Sequence, residues 1–189
     1  MSQAANLDIL GIAGSLRKGS YNRMLIEAAK ELAPDGMTIR TYEGLADIPI
    51  YNGDDEDKSG IPAAAETFRA AIAEADALLI STPEYNWSLP GGLKNALDWA
   101  SRGSHPFKDK PLAVMGASGG PLGTARSQYH LRATMTPLEC IILPRPEIFV
   151  GLAASKFDDA GKFTDEVGRD LLGQMLAAFK NWIARVRLD

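Results

Sequence analysis

The stretch Leu7-Asp8-Ile9-Leu10-Gly11-Ile12-Ala13, running straight into Gly14-Ser15-Leu16-Arg17-Lys18-Gly19-Ser20-Tyr21-Asn22, decides the fold. A short, mostly apolar run that stops at a glycine-serine pair reads as a strand buried on both faces. The spacing then becomes helical, with Leu25, Ile26, Ala28, Ala29 and Leu32 on one face. Similar apolar runs recur at Met37–Tyr42, Ala77–Thr82 and Leu112–Ala117, with a fifth at Cys140–Leu143 that continues in Ile148-Phe149-Val150. Helical stretches separate them. The second lies behind Pro62 and carries Phe68, Ile72 and Ala75; the third is expected to open at Ser88 as N-cap, with Pro90 in its first turn, and to run through Leu93, Ala96, Leu97 and Ala100. A fourth spans Thr124–Met135. The last takes Thr164 as N-cap, Asp165 and Glu166 in its first turn, and the stripe Val167, Leu171, Met175, Phe179, Ile183, Val186.

Strands buried on both faces and joined by helices imply a parallel sheet with right-handed crossovers. The expected fold is therefore a doubly wound α/β three-layer sandwich: one five-stranded parallel sheet of order 2-1-3-4-5 with helices on both faces. In that order the loops after strands 1, 3 and 4 stand side by side at the carboxyl edge, where ligands of such sheets bind.

Composition agrees. The 189 residues carry 20 Lys+Arg against 24 Asp+Glu, a formal charge of −4, and 46% are hydrophobic, which suits a single domain over 1–189 with residues 1–6 flexible. A mildly acidic balance gives no general attraction to nucleic acid or to anionic lipid. The start lacks the features of a signal peptide, and no apolar run approaches the roughly 20 residues of a membrane span, so a cytoplasmic protein is expected. Cys140, His105 and His130 provide no evident zinc-ligand set, and no metal is expected. The acidic run Asp54-Asp55-Glu56-Asp57 reads as a solvated loop.

The loop Gly14–Asn22 is suited to a phosphate. Glycines let backbone N–H groups approach an anion, Ser15, Ser20 and Asn22 can donate side-chain hydrogen bonds, and the helix start adds partial positive charge. Arg17 and Lys18 add full charge; an ordinary turn capped by Ser20 or Asn22 is the plainer alternative. The spacing nearly gives a nucleotide P-loop, but no lysine stands between Gly19 and Ser20, and Ser81-Thr82-Pro83 offers no aspartate for Mg²⁺. A Gly-x-Gly-x-x-Gly fingerprint is missing too.

Gly116-Ala117-Ser118-Gly119-Gly120 matches the nucleophile elbow of serine hydrolases. The only histidine after Ser118 is His130, twelve residues on and in the next helix, too far along it to serve as the base. The third loop, Thr82-Pro83-Glu84-Tyr85-Asn86-Trp87-Ser88, adds two aromatic rings and an amide. Together the loops outline a slot for a phosphate, a flat ring, and the ring's polar edge at the Ser118–Gly120 amides. FMN fits best, since it needs one phosphate, no metal and no protein acid or base.

Gly14–Asn22, Thr82–Trp99 and Gln128-Tyr129-His130-Leu131-Arg132 closely resemble the NADPH-dependent FMN reductases, in particular the bacterial chromate/quinone reductase branch. The resemblance implies a flavodoxin-like fold, noncovalent FMN, and NAD(P)H as donor in a ping-pong hydride transfer through flavin N5. The acceptors it implies are small molecules: quinones, free flavin, azo compounds or chromate. It further implies a phosphate cradle of Ser15, Arg17, Ser20 and Asn22, with Leu16, Lys18, Gly19 and Tyr21 giving backbone amides. Pro83, Glu84, Tyr85 and Asn86 would wrap the isoalloxazine, with Ser118 and Gly119 at its pyrimidine edge. No side chain is assigned as acid, base or nucleophile. Trp87, where the family more often has tyrosine, and Gly119-Gly120-Pro121 depart from the family pattern at the substrate rim. Family members form dimers or tetramers, which makes Tyr85, Arg126, Tyr129 and Glu147 expected interface residues. The competing readings are a flavodoxin-like electron carrier that turns over no nicotinamide, a serine esterase using Ser118, and a flavin-free regulatory module.

Overall fold

Strand β1 (Leu7–Ala13) is the centre around which the chain winds: it pairs in parallel with β2 (Met37–Thr41) on one side and β3 (Ala77–Ser81) on the other. Next to β3 lies β4 (Pro111–Ala117), which pairs with both β5 (Ile141–Ile142) and β6 (Ile148–Val150). The computed structural model describes residues 6–187, and the strand order is β2-β1-β3-β4-β5, as expected, with β6 attached to β4.

Successive residues of a strand point to opposite faces, and the two faces feed two cores. Ile9, Leu79 and Met115 face α1 (Tyr21–Glu31) and α6 (Glu166–Val186), meeting Leu25, Ile26, Leu172, Leu176 and Phe179. Leu10, Ile12, Leu78, Ile80 and Val114 face α3 (Ala63–Glu74), α4 (Gly91–Ala100) and α5 (Ala125–Met135), meeting Phe68, Ile72, Leu93, Leu97 and Leu131. Every side chain named here is buried. At roughly 1.5–3 kcal/mol for each large apolar side chain, these layers fix the strand ends and hence the loops above them.

Four local expectations need correction. The fifth strand is two: β5 pairs with Pro111 and Leu112, β6 with Met115 to Ala117, and Pro144 and Pro146, which lack an N–H, interrupt the ladder between them. The acidic run is not a loop but helix α2 (Gly53–Ser59), whose cap is Asn52 and whose first turn holds Asp54, Asp55 and Glu56, where negative charge suits the helix dipole. Ser88 does not cap α4; the helix begins at Gly91 behind Pro90. Asp165, not Thr164, caps α6 by accepting from Gly168 N, while the Thr164 hydroxyl donates to Lys156 O.

Of the segment expected to be flexible, residues 1–5 lie outside the described residues, whereas Asn6 donates its Nδ2 to Thr38 Oγ1 at 2.8 Å. No helix among the described residues is long and apolar enough to cross a membrane.

Candidate functional site

The loop after β1 leaves the sheet at Gly14, whose N donates to Ser81 O at 2.9 Å. A Cβ there would stand 3.0–3.2 Å from the side chains of Leu93, Pro83 and Pro90, so a side chain at this position would have to push these neighbours aside. Ser20 caps α1 by accepting from Asn22 N at 3.1 Å. Around this cap the N–H groups of Lys18, Gly19 and Tyr21 find no acceptor among the described residues, while Lys18 and Gly19 form a turn that brings Ser20 N toward Arg17 O. Three free donors at a helix start, with the exposed Arg17 beside them, are an arrangement that can accept an anion.

The loop after β3 is anchored from below and bent at its tip. Thr82 Oγ1 and Ser127 Oγ both donate to Pro83 O, at 2.9 and 2.8 Å. The Glu84 carboxylate, 8% exposed as a side chain, accepts Arg126 N at 3.1 Å, Ser127 N at 3.3 Å and Arg126 Nε at 2.6 Å. It thereby caps α5, whose own N-cap residue Thr124 is left-handed and makes no side-chain cap. Asn86 and Trp87 both have positive φ, +49° and +67°, and Tyr85 and Ser88 exchange backbone hydrogen bonds of 3.0 Å across them. This tight turn explains why Ser88 is not available to α4. It projects the Trp87 ring, 68% exposed, under the Arg126 guanidinium at 4.6 Å. Tyr85 OH meets Ser15 Oγ at 3.2 Å and closes the first loop against the third.

The loop after β4 is held by Ser118 N, which donates to Val150 O at 3.0 Å. Gly119 has open space where a Cβ would stand. Ser118 Oγ donates to Gly120 O at 3.2 Å, while His130 Nδ1 pairs with Ser88 Oγ at 3.0 Å. Without a base beside Ser118, the elbow match carries no hydrolytic chemistry. Burial pushes the Cys140 thiol up to about 12, which removes it as a nucleophile as well.

Two adjoining clefts result. One, about 270 Å³, is lined by Ser15, Arg17, Gly19, Ser20, Tyr21, Asn22, Pro83, Glu84, Tyr85, Ala117, Ser118 and Gly119. The other, about 570 Å³, lies between Asn86, Trp87 and Arg126 on one side and Ser118 to Leu122 on the other, and shares Glu84, Ser118 and Gly119 with the first. The expected cofactor residues are thus brought together, Asn86 from the second cleft, except that Leu16 and Lys18 stand exposed and line neither.

Two side chains behave differently from expectation. Glu84 has its carboxylate engaged at the start of α5, accepting from Arg126 N and Ser127 N, while the residue lines both clefts. Asn22, 2% exposed, has its amide bonded to Ala117 and Ser81. Arg126 enters the site as the residue over Trp87. No local signal in the sequence marks that pairing, because Glu84, which orients it, lies 42 residues away.

An FMN fits this donor set: unpaired N–H groups and Arg17 for the phosphate, an open floor at Gly119, and aromatic and amide groups at the ring's place. The Tyr129 side chain is exposed, and Glu147 lies 3.9 Å from Arg132.

The family profile described as NADPH-dependent FMN reductase matches residues 7–155. The chain is 47% identical over 183 residues to an NAD(P)H-dependent FMN reductase of Pseudomonas aeruginosa, covering 96% of this chain and 98% of the relative. It is 40% identical over 184 residues to a quinone reductase of Escherichia coli K12, covering 96% and 98%. Among solved structures, a flavoenzyme NAD(P)H:(acceptor) oxidoreductase from Paracoccus denitrificans superposes with a TM-score of 0.86 at 33% identity, over 96% of this chain and 100% of that one.

Proposed function

The chain belongs to the NADPH-dependent FMN reductase family, and on that premise we propose that the two clefts hold FMN and its exchanging partners. It is an FMN-dependent NAD(P)H oxidoreductase of quinone reductase type with the flavodoxin-like fold. The observation that carries the site assignment is the set of unpaired N–H groups of Lys18, Gly19 and Tyr21 at the start of α1. An anion is the partner such a set accepts.

In this reading Ser15, Arg17, Gly19, Ser20 and Tyr21, with the backbone N–H of Lys18, hold the phosphate, while the Leu16 and Lys18 side chains shape the outer loop. The backbone from Pro83 to Asn86 lies along the ring, and Ser118 and Gly119 meet its pyrimidine edge. FMN, when bound, supplies the hydride chemistry between nicotinamide and acceptor. The protein's part is to position the ring, donate hydrogen bonds to it, and leave one side open beneath Trp87 and Arg126. Donor and acceptor use that open side in turn, the acceptors being quinones, free flavin, azo compounds or chromate.

Assembly as a homodimer or homotetramer through Tyr85, Arg126, Tyr129 and Glu147, and a cytoplasmic location where NAD(P)H is supplied, complete the proposal. Tyr129 and Tyr85, exposed aromatic side chains, support the interface; light scattering tests it. The function is tested by the absorption spectrum of the purified protein, a flavin band at about 450 nm being expected of bound FMN, and by steady NAD(P)H oxidation with a quinone. A colourless protein that oxidises no NAD(P)H when supplied with FMN would remove the reading, and a yellow protein that oxidises none would be an electron carrier.

A further inference from the structure

Asn22 stands at the point where the three loops of the site converge. Its Nδ2 donates to Ala117 O at 2.9 Å, and its Oδ1 accepts from Ala117 N at 3.0 Å and from Ser81 Oγ at 3.0 Å. These partners fix the amide's orientation, since a flipped amide would set oxygen against oxygen and N–H against N–H at Ala117. Both acceptor positions of Oδ1 are used, and one of the two N–H donors.

The partners' places give the arrangement its meaning. Ser81 is the last residue of β3, immediately before the loop carrying Pro83 to Trp87. Ala117 is the last residue of β4, immediately before Ser118 and Gly119. Asn22 itself is in the first turn of α1, directly after the anion loop. One buried amide therefore joins the roots of all three loops, and it bonds Ala117 as a neighbouring strand would. Ser81 and Ala117 are buried at 0% and 2% exposure, so removing the amide takes the protein partner from three buried polar groups at once.

We propose that Asn22 is a positioning residue for the whole cofactor site, setting the spacing of the three loops, and is not a ligand of the phosphate. The inference rests on the reading that FMN occupies these clefts. It separates two roles that the loop Gly14–Asn22 would otherwise share: Arg17 and the free N–H groups meet the anion, while Asn22 places the ring-facing loops relative to them. Losing Asn22 should therefore affect a flavin with or without a phosphate.

The test titrates flavin-free protein with FMN and with riboflavin, which lacks the phosphate, following flavin fluorescence at a temperature where circular dichroism shows each variant folded. Asn22→Ala is expected to weaken both ligands by the same factor, on the order of ten- to a hundredfold for three buried groups left unpaired. The visible band of flavin bound to Asn22→Ala should also move toward that of free flavin. Arg17→Ala is expected to weaken FMN by about ten- to a hundredfold and riboflavin hardly at all.

A loss confined to FMN in Asn22→Ala would overturn the proposal and make the residue a phosphate ligand. Unchanged affinity for both would overturn it too. Should Asn22→Ala not fold, the wild-type protein labelled with ¹⁵N and ¹³C decides by NMR: scalar coupling from Asn22 Nδ2 to the Ala117 carbonyl carbon is expected to persist when FMN binds. Its replacement by coupling to phosphorus would overturn the proposal. A wild-type protein that binds neither flavin would overturn the cofactor reading itself, whatever Asn22→Ala does.

Discussion

The carboxylate of Glu84 caps a helix it does not belong to: one oxygen takes Arg126 N at 3.1 Å, and the other takes Arg126 Nε at 2.6 Å. Because the carboxylate is nearly buried and Arg126 is half-exposed, the pair neutralises a charge that would be costly alone. It also holds the guanidinium over Trp87. Glu84→Gln keeps an acceptor for the α5 amides but loses the charge. It is expected to lower the unfolding free energy by about 1–3 kcal/mol and to raise the quinone KM as Arg126 swings free. Urea unfolding of flavin-free protein and steady-state kinetics check this; an unchanged urea midpoint would contradict it.

Trp87 is expected to serve the acceptor side. An aromatic stack contributes about 0.5–1.5 kcal/mol beyond burial, so Trp87→Ala should raise the quinone KM several-fold while FMN affinity, measured by fluorescence titration, stays nearly constant. A larger loss in FMN affinity than in quinone KM would place the indole against the flavin instead.

If donor and acceptor take turns in the cleft of about 570 Å³ beside the ring, initial rates follow ping-pong kinetics. Double-reciprocal plots with NAD(P)H and quinone both varied should be parallel. Intersecting lines would mean that both are bound together.

Cys140 makes a stability prediction with a definite sign. Its thiol ionises at about 12 in the folded chain because of burial, against 9.0 for the free group. Between these values the unfolded chain loses the proton first, so the unfolded state gains and stability falls as pH rises. The difference in unfolding free energy between the wild type and Cys140→Ala should therefore shift against the wild type from pH 9 to pH 12, as read by urea unfolding at a series of pH values. At pH 8 an aromatic disulfide reagent should label the thiol slowly in native protein and quickly in urea. A gap independent of pH, with fast native labelling, would contradict the burial account.

The strand order was legible because the central strands β1, β3 and β4 are mostly apolar runs ended by Gly14, Thr82 and Ser118, and the three loops were legible because glycines and polar residues cluster in them. Helix starts were less so. Ser88 has the chemistry of an N-cap, but the turn at Asn86 and Trp87 engages its backbone with Tyr85 before α4 can begin. Thr164 and Asp165 are both good caps, and the choice fell to the one whose side chain reaches Gly168 N. What the sequence could not express is where a polar side chain spends its hydrogen bonds. Asn22 and Glu84 look like ligands beside a ligand loop, yet their partners lie 95 and 42 residues away and become neighbours only in the folded sheet.

The rim residues Trp87, Gly120 and Leu122 carry none of the buried side-chain ties made by Asn22, Glu84 and Ser127. Inheritance can therefore act on the two sets separately: the rim is free to drift or to be randomised in a library, while the ties are kept. Descendants of one such scaffold can diverge in the oxidants they accept without first having to rebuild the place where the flavin rests.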